Sequence, residues 1–201
     1  MTVTQIIVTA TLSYLLGSIP FGYLLVRIFR GKDIRQSGSG NIGATNVSRI
    51  SPLLGVITLL LDALKGAGAV VLVRAIFPGD ARLLGVAAFS AVAGHVFPLW
   101  LRFKGGKGVA TGMGAFLMIV PKAVLFAAAI FVAVFLLFRY VSLASIVAVG
   151  MLPLLAWMLG GSAYLTLLLI AAAAALVIVK HDDNVRRLIA RAENRFVWGQ
   201  R

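Results

Sequence analysis

Four short polar segments in an otherwise apolar chain carry residue types suited to holding phosphate. The first is Ser37-Gly-Ser-Gly-Asn-Ile-Gly-Ala-Thr-Asn46, followed by Arg49. Its three glycines let the backbone approach a ligand and turn N–H groups inward, as anion-binding nests require. Ser39, Asn41, Thr45 and Asn46 add hydroxyl and amide groups. A flexible loop is the competing reading, but linkers seldom mix Asn, Thr and Gly so densely beside arginines. The second segment, Lys104-Gly-Gly-Lys-Gly-Val-Ala-Thr-Gly112, runs glycine-rich backbone into a predicted helix N-terminus beside two lysines, which is the arrangement of a phosphate site. It is not the nucleotide-binding P-loop, in which Ser or Thr follows the lysine; here Gly108 does. A charged stop with helix-packing glycines is its plainer explanation.

The third segment, Lys180-His-Asp-Asp-Asn-Val-Arg-Arg187 with Glu193, offers an imidazole, an amide and cations that suit a polyol phosphate. A basic anchor near anionic lipid headgroups explains the same residues. The fourth, Arg139-Tyr-Val-Ser-Leu-Ala-Ser145, places Ser142 and Ser145 either toward a polar pocket or back-bonded to helix carbonyls. Asp62 and Lys65 stand at i and i+3 inside an apolar run, where they share a helix face and neutralise each other. A structural ion pair and a catalytic role both remain open for them. His95 reads as a packed or interfacial histidine.

The elements that position these segments are membrane helices. Of 201 residues, 61% are hydrophobic and only 12% charged, against roughly 25% charged in soluble domains. Runs of about 20 apolar residues are the signature of spanning helices. They fall at Val3–Phe29 with a kink at Pro20, Pro52–Phe77, Leu83–Leu101, a short Val109–Val120, Ala123–Phe138, Leu143–Leu159 and Ala163–Val179, the last two hinged at Gly160-Gly161. The tail Lys180–Arg201 reads as a basic amphipathic helix for the membrane surface. The expected fold is thus all-α and polytopic, with seven transmembrane helices, one of them short. The first run lacks a basic flank and is too long for a signal segment, so it reads as a retained helix.

Orientation follows the cations. One side collects Arg27, Arg30, Lys32, Arg35, Arg49, Arg102, Lys104, Lys107, Arg139 and the tail cations; the other collects Arg74, Arg82 and Lys122. The positive-inside rule and the odd helix count agree on an N-terminus outside and a cytoplasmic C-terminus. Residues 1–201 read as one membrane-embedded domain with active-site loops 30–49, 102–112, 139–145 and 180–195. A net charge of +13 would suggest nucleic acid in a soluble protein, but here the cations lie between apolar runs, and no nucleic acid partner is expected. The chain has no cysteine, which excludes disulfides, thiolate metal sites and cysteine nucleophiles.

Taken together, Gly17-Ser-Ile-Pro-Phe-Gly22, the first segment, Gly94-His-x-Phe-Pro98, Phe103-Lys-Gly-Gly-Lys-Gly-Val-Ala-Thr111, and Lys180-His-x-x-Asn184 with Arg187-Leu188 resemble the bacterial membrane glycerol-3-phosphate acyltransferase family that uses acyl phosphate. Length, topology and motif order agree along the whole chain. One departure is Ala190-Arg-Ala-Glu193, where the family pattern has a glycine before the glutamate.

The resemblance implies transfer of a fatty acyl group from acyl phosphate to the 1-hydroxyl of sn-glycerol 3-phosphate, giving lysophosphatidate and phosphate. This would be the first acylation of phospholipid biosynthesis, in the bacterial inner membrane with the site facing the cytoplasm. It implies a functional link to the enzyme that makes acyl phosphate, contact with membrane lipids, a monomer, and neither metal nor cofactor. The expected acyl-phosphate set is Gly40, Asn41, Gly43, Ala44, Thr45 and Asn46. The expected glycerol 3-phosphate set is Ser39, Arg49, Lys107, Ser145, His181 and Asn184, with Ser39, Lys107, His181 and Asn184 catalytic. For the proton, His181 is one candidate base; the acyl phosphate's own oxygen is the preferred one, because a mixed anhydride is already activated and orientation supplies much of the rate.

Other chemistries fit less well. The His-x4-Asp dyad of acyl-CoA-type glycerolipid acyltransferases is absent, as are an Asp-rich metal motif and a GxSxG elbow. A transporter of an organic phosphate would need a second polar cluster on the outer face. A purely structural subunit would not need loops so dense in Ser, Asn and Thr.

Overall fold

The computed structural model describes residues 1–160 and 163–196, and every regular element among them is helical. The chain divides into two compact units, the first being Met1–Ile119 and the second beginning at Val120.

The first unit opens with α1 (Val3–Gly17). Thr2 caps it by accepting the Gln5 N–H while the Gln5 side chain accepts the Thr2 N–H, a reciprocal capping box. The run expected as one helix kinked at Pro20 forms one candidate span, Val3–Arg30, with a short break in the helical ladder before α2 (Phe21–Arg30), because Pro20 has no N–H and its ring crowds the preceding turn. Gly31 ends α2 in the left-handed region at φ 65°. The following polar stretch is more ordered than a loop: a 3₁₀ turn covers Ile34–Gln36, and α3 (Ala44–Val47) is a single helical turn. Ser51 caps α4 (Pro52–Ile76), with Pro52 at its first position, where a missing N–H costs nothing. α5 (Ala81–Val96) follows a cap by Asp80, a 3₁₀ turn spans Leu99–Leu101, and α6 (Val109–Leu117) completes the unit.

Glycine lets these helices touch at backbone distance. A Cβ at Gly17 would fall on Ala91 O, and one at Gly94 on Tyr14 O, so α1 and α5 admit no side chain there. α4 and α6 meet the same way, Gly66 against Thr111 O and Gly114 against Ala63 O. Membrane helices lack a hydrophobic drive toward one another and gain contact through such small residues. Beneath the first polar segment lies a small apolar core of Val26, Ile34, Ile42, Val47, Leu54 and Leu101.

The second unit contains α7 (Pro121–Phe138), α8 (Val141–Met158), α9 (Tyr164–Val179) and the short α10 (Asp182–Ile189), which meets α9 at 55°. Arg139 turns α7 into α8 with φ 60°. Gly160 ends α8 region at φ 77°, while its expected hinge partner Gly161 lies outside the described residues. The expected tail helix is shorter than Lys180–Arg201, ending at Ile189, and its last residues, 197–201, also lie outside. Beyond α10 the chain folds back: the Phe196 N–H donates to Arg139 O at 2.8 Å, and the Phe196 ring meets Phe135 edge-on at 5.5 Å.

Among the described residues, five helical segments are long and apolar enough to cross a membrane, or six if the bent α9–α10 pair counts as one. α6, with nine residues, is about 14 Å long against a hydrocarbon core of about 30 Å. The seven expected apolar segments are therefore present in order, but two, α6 and α9 alone, fall short of the length test.

Candidate functional site

In the first unit the polar segment after α2 is organised by Asn46, which is 3% exposed. Its Oδ1 accepts the Ser39 N–H at 3.0 Å, and its Nδ2 donates to Asn41 O at 2.8 Å, Ser37 O at 2.9 Å and Ile34 O at 3.3 Å. One buried amide thus ties both ends of the loop together. Asn41 Oδ1 accepts the Gly43 N–H at 2.8 Å, and the Gly40 N–H donates to Ser37 O at 3.0 Å. Gly43 and Gly40 are therefore engaged within the loop itself. The N–H groups of Ala44 and Thr45, in the first turn of α3, have no intrahelical acceptor. Gly38 and Gly40 have φ of 57° and 70°, which glycine adopts without strain.

The cations beside this loop differ in kind. Arg35 makes a forked pair with Asp33, Nε to Oδ1 at 3.0 Å and Nη2 to Oδ2 at 2.6 Å, and lies 5.0 Å from the Tyr23 ring centroid. The Arg35 guanidinium holds the Asp33 carboxyl below the usual carboxylate range. Arg49 is exposed, and no carboxylate pairs with it among the described residues. Of the expected set, Ser39, Gly40 and Thr45 are exposed, and Asn41, Gly43 and Ala44 half-buried. The segment keeps its exposed polar edge because the core below holds the other side: a Cβ at Gly22 of α2 would fall on Ile42 O.

The second glycine-rich segment packs against the end of α5. The Gly105 N–H donates to Val96 O at 3.2 Å and the Gly106 N–H to His95 O at 3.1 Å. Lys107 is half-buried, and Gly108, at φ 87°, starts α6. The segment therefore does run into a helix N-terminus, as its composition predicts.

In the second unit, His181 and Asn184 are 2% and 6% exposed. His181 Nδ1 lies 2.7 Å from Val177 O; a carbonyl only accepts, so Nδ1 carries a proton. Glu193 gathers three donors: Ser142 Oγ at 2.8 Å and Asn184 Nδ2 at 2.7 Å on Oε1, and Arg187 Nε at 2.6 Å on Oε2. Burial pushes the Glu193 carboxyl up, but the bonds from Arg187, Asn184 and Ser142 outweigh it and hold the group below the ordinary glutamate range. Ser145 Oγ donates to Val141 O at 2.8 Å, the back-bond that competes with a ligand role. Arg195 Nε donates to Tyr140 Oη at 3.0 Å.

Within the first unit the structure assembles Ser39–Asn46 into one closed loop; within the second it brings Ser142, Asn184, Arg187 and Glu193 together. Two features escaped sequence reasoning. Glu193, which the sequence groups with the third segment, is the hub of its cluster, and its signal was an acid set between Arg187, Arg191 and Arg195. His95 joins Asp62 and Lys65: its Nδ1 stands 3.6 Å from Asp62 Oδ1, which lies 2.8 Å from Lys65 Nζ. The i,i+3 pair is thus formed as expected, and the histidine adds a third member from another helix.

The family model described as glycerol-3-phosphate acyltransferase matches residues 7–191. A glycerol-3-phosphate acyltransferase of Myxococcus xanthus is 48% identical over 187 residues, covering 92% of this chain and 96% of its own. One from Syntrophotalea carbinolica is 46% identical over 186 residues, covering 92% and 94%. The crystal structure of PlsY, an integral membrane glycerol 3-phosphate acyltransferase, in its glycerol 3-phosphate form superposes with a TM-score of 0.89 at 37% identity, covering 96% of both chains. Its lysophosphatidic acid form gives 0.86 at 36% identity, covering 96% and 95%.

Proposed function

The chain belongs to the glycerol-3-phosphate acyltransferase family, and from that premise we propose that it transfers a fatty acyl group from acyl phosphate to the 1-hydroxyl of sn-glycerol 3-phosphate. The products are lysophosphatidate and inorganic phosphate. The observation that supports this reading is the pair of glycine-rich, cation-flanked segments in one unit, the Asn46-tied loop and the Lys104–Gly108 turn into α6. Donor and acceptor both bear phosphate, so two such sites are what the reaction requires. A relative's glycerol 3-phosphate and lysophosphatidic acid forms support the acceptor and the product.

In this reading the acyl phosphate's phosphate meets Gly40, Asn41, Gly43, Ala44 and Thr45, chiefly the N–H groups of Ala44 and Thr45 and the exposed Thr45 hydroxyl. Asn46 holds the loop from behind. These donors also stabilise the phosphate as it departs, an interaction stronger in the transition state than before it. Glycerol 3-phosphate is bound by Ser39, Arg49, Lys107, Ser145, His181 and Asn184, the cations taking its phosphate. The acceptor's hydroxyl oxygen attacks the acyl carbonyl carbon, the bond from that carbon to the phosphate oxygen breaks, and phosphate leaves with the electron pair. The hydroxyl proton passes to an oxygen of the departing phosphate. His181 Nε2 accepts a hydrogen bond from the acceptor and orients it. A His181→Gln change that lowered turnover by more than about 10³-fold with binding intact would instead make His181 the base.

We further propose a single catalytic domain that crosses the bacterial inner membrane seven times, α6 making a short crossing, with the N-terminus outside and the polar segments cytoplasmic. The absence of native cysteine makes this open to single-cysteine labelling. An impermeant maleimide from outside labels Pro78→Cys and Lys122→Cys but spares Lys32→Cys and Arg186→Cys; labelling of Arg186→Cys from outside removes the α6 crossing.

The donor is tested with the purified chain in lipid. Palmitoyl phosphate and glycerol 3-phosphate yield lysophosphatidate, and palmitoyl-CoA yields none. Product from palmitoyl-CoA alone would overturn the donor assignment. Accumulation of glycerol 3-phosphate inside vesicles without acylation would favour transport.

A further inference from the structure

Three buried polar side chains of the first unit take no part in the site described above. Asp62 and Lys65 on α4 and His95 at the end of α5 are each 2–4% exposed. Lys65 Nζ stands 2.8 Å from Asp62 Oδ1 and donates to Ile19 O at 2.6 Å, a carbonyl in the break between α1 and α2. His95 Nδ1 faces the same Asp62 oxygen at 3.6 Å. The other edge of the imidazole faces the lysine loop. A Cβ at Gly106 would fall on His95 Nε2, and one at Gly105 on His95 O, which also accepts the Gly106 N–H. On the far side of that loop, α6 is pressed onto α4 through Gly114 and Ala63, the residue after Asp62.

Charged groups inside a spanning helix are costly, and apolar residues of equal volume would pack the same space at no electrostatic penalty. These groups do something apolar residues cannot. Lys65 satisfies a carbonyl released by the helix break, Asp62 lies between the lysine and the imidazole, and His95 packs its carbonyl on Gly105 and its Nε2 edge on Gly106. The next residue is Lys107. We infer that Asp62, Lys65 and His95 are positioning residues for the acceptor's phosphate, acting through Gly105 and Gly106 on Lys107. The inference rests on the proposed reading of Lys107 as a glycerol 3-phosphate contact.

The test is a double-mutant cycle in lipid, with KM measured separately for glycerol 3-phosphate and palmitoyl phosphate. His95→Asn raises KM for glycerol 3-phosphate by about tenfold, the scale of a sub-ångström misplacement, and leaves KM for palmitoyl phosphate unchanged. Lys107→Ala raises the same KM, and adding His95→Asn to it has no further effect, because the group being positioned is gone. The isosteric Asp62→Asn carries the same cycle where His95→Asn lowers the folded yield. If His95→Asn and Asp62→Asn multiply KM by the same factor with and without Lys107, or shift both KM values together, the positioning role is overturned and the cluster serves the fold alone. If Lys107→Ala leaves KM for glycerol 3-phosphate unchanged, the reading of Lys107 itself falls, and the inference with it.

Discussion

Asn184 Nδ2 donates to Glu193 Oε1 at 2.7 Å, so the amide of a proposed acceptor-binding residue is aimed by a carboxylate from the folded-back tail. With its NH₂ turned to Glu193, the remaining polar atom of the Asn184 amide is its carbonyl oxygen, which pairs with a donor group. A glycerol hydroxyl is such a donor, whereas a phosphate oxygen is not.

Loss of that carboxylate should be felt in both stability and activity. Glu193→Ala strands Ser142, Asn184 and Arg187 and should cost about 2–3 kcal/mol, less than for a fully buried pair because Arg187 is partly exposed. Glu193→Gln is no rescue, since its NH₂ would face either the Arg187 N–H or the other two donors. Thermal unfolding in lipid reads the first effect, and KM for glycerol 3-phosphate the second.

The same group sets an acid limit. The folded pKa of Glu193 lies below the ordinary value, so its stabilisation is fully present above that ordinary value. It is lost as pH falls through the lower folded value, where protonation removes the acceptor. The stability difference between wild type and Glu193→Ala should therefore be constant near neutrality and shrink on acidification below about pH 4. A difference that does not change at all as pH falls through and below the ordinary carboxylate range would contradict the assignment.

Asn46 gives a test in which the conservative change is the harmful one. Asn46→Asp keeps an acceptor for the Ser39 N–H but sets a carboxylate against the carbonyls of Asn41, Ser37 and Ile34. Asn46→Ala leaves these groups unpaired without opposing them. The Asp variant should lose more activity than the Ala variant, with each losing at least about tenfold. Steady-state rates at saturating acceptor decide the order, and an Asp variant of near-normal rate would refute the loop's organisation.

The tail's missing glycine has a structural counterpart. Arg191 adopts φ 54°, in the left-handed region that costs a residue with a Cβ about 1–2 kcal/mol. The turn forms all the same, held by the bonds to Glu193. Arg191→Gly should raise stability by about 0.5–1 kcal/mol, part of the relief being offset by the entropy of glycine in the unfolded chain. Unfolding midpoints of the two proteins check it.

How far the sequence could be read follows from these residues. The loops around Asn41 and Lys107 were legible because glycine density beside cations has few uses, and the spans because apolar runs of that length have one. The division of labour inside the first loop was not. Asn46 and Asn41 are the same residue type in one motif, and only the fold turns Asn46 inward onto Ile34 and Ser37 while Asn41 stays half-exposed. The single turn of α3 depends on local competition that hydropathy averages away. The joining of His95 to Asp62 is a contact between two helices that neither helix's own pattern encodes.

The central claim is that one centre couples the breaking of an acyl phosphate to the acylation of glycerol 3-phosphate. Phosphate-31 NMR of the chain in lipid, with palmitoyl phosphate present from the start, follows every phosphate in the reaction at once. The account predicts no change until glycerol 3-phosphate is added, then equal growth of inorganic phosphate and lysophosphatidate as the acyl phosphate signal falls. Phosphate released at the same rate without glycerol 3-phosphate, or acyl phosphate left intact in the presence of both, would contradict it.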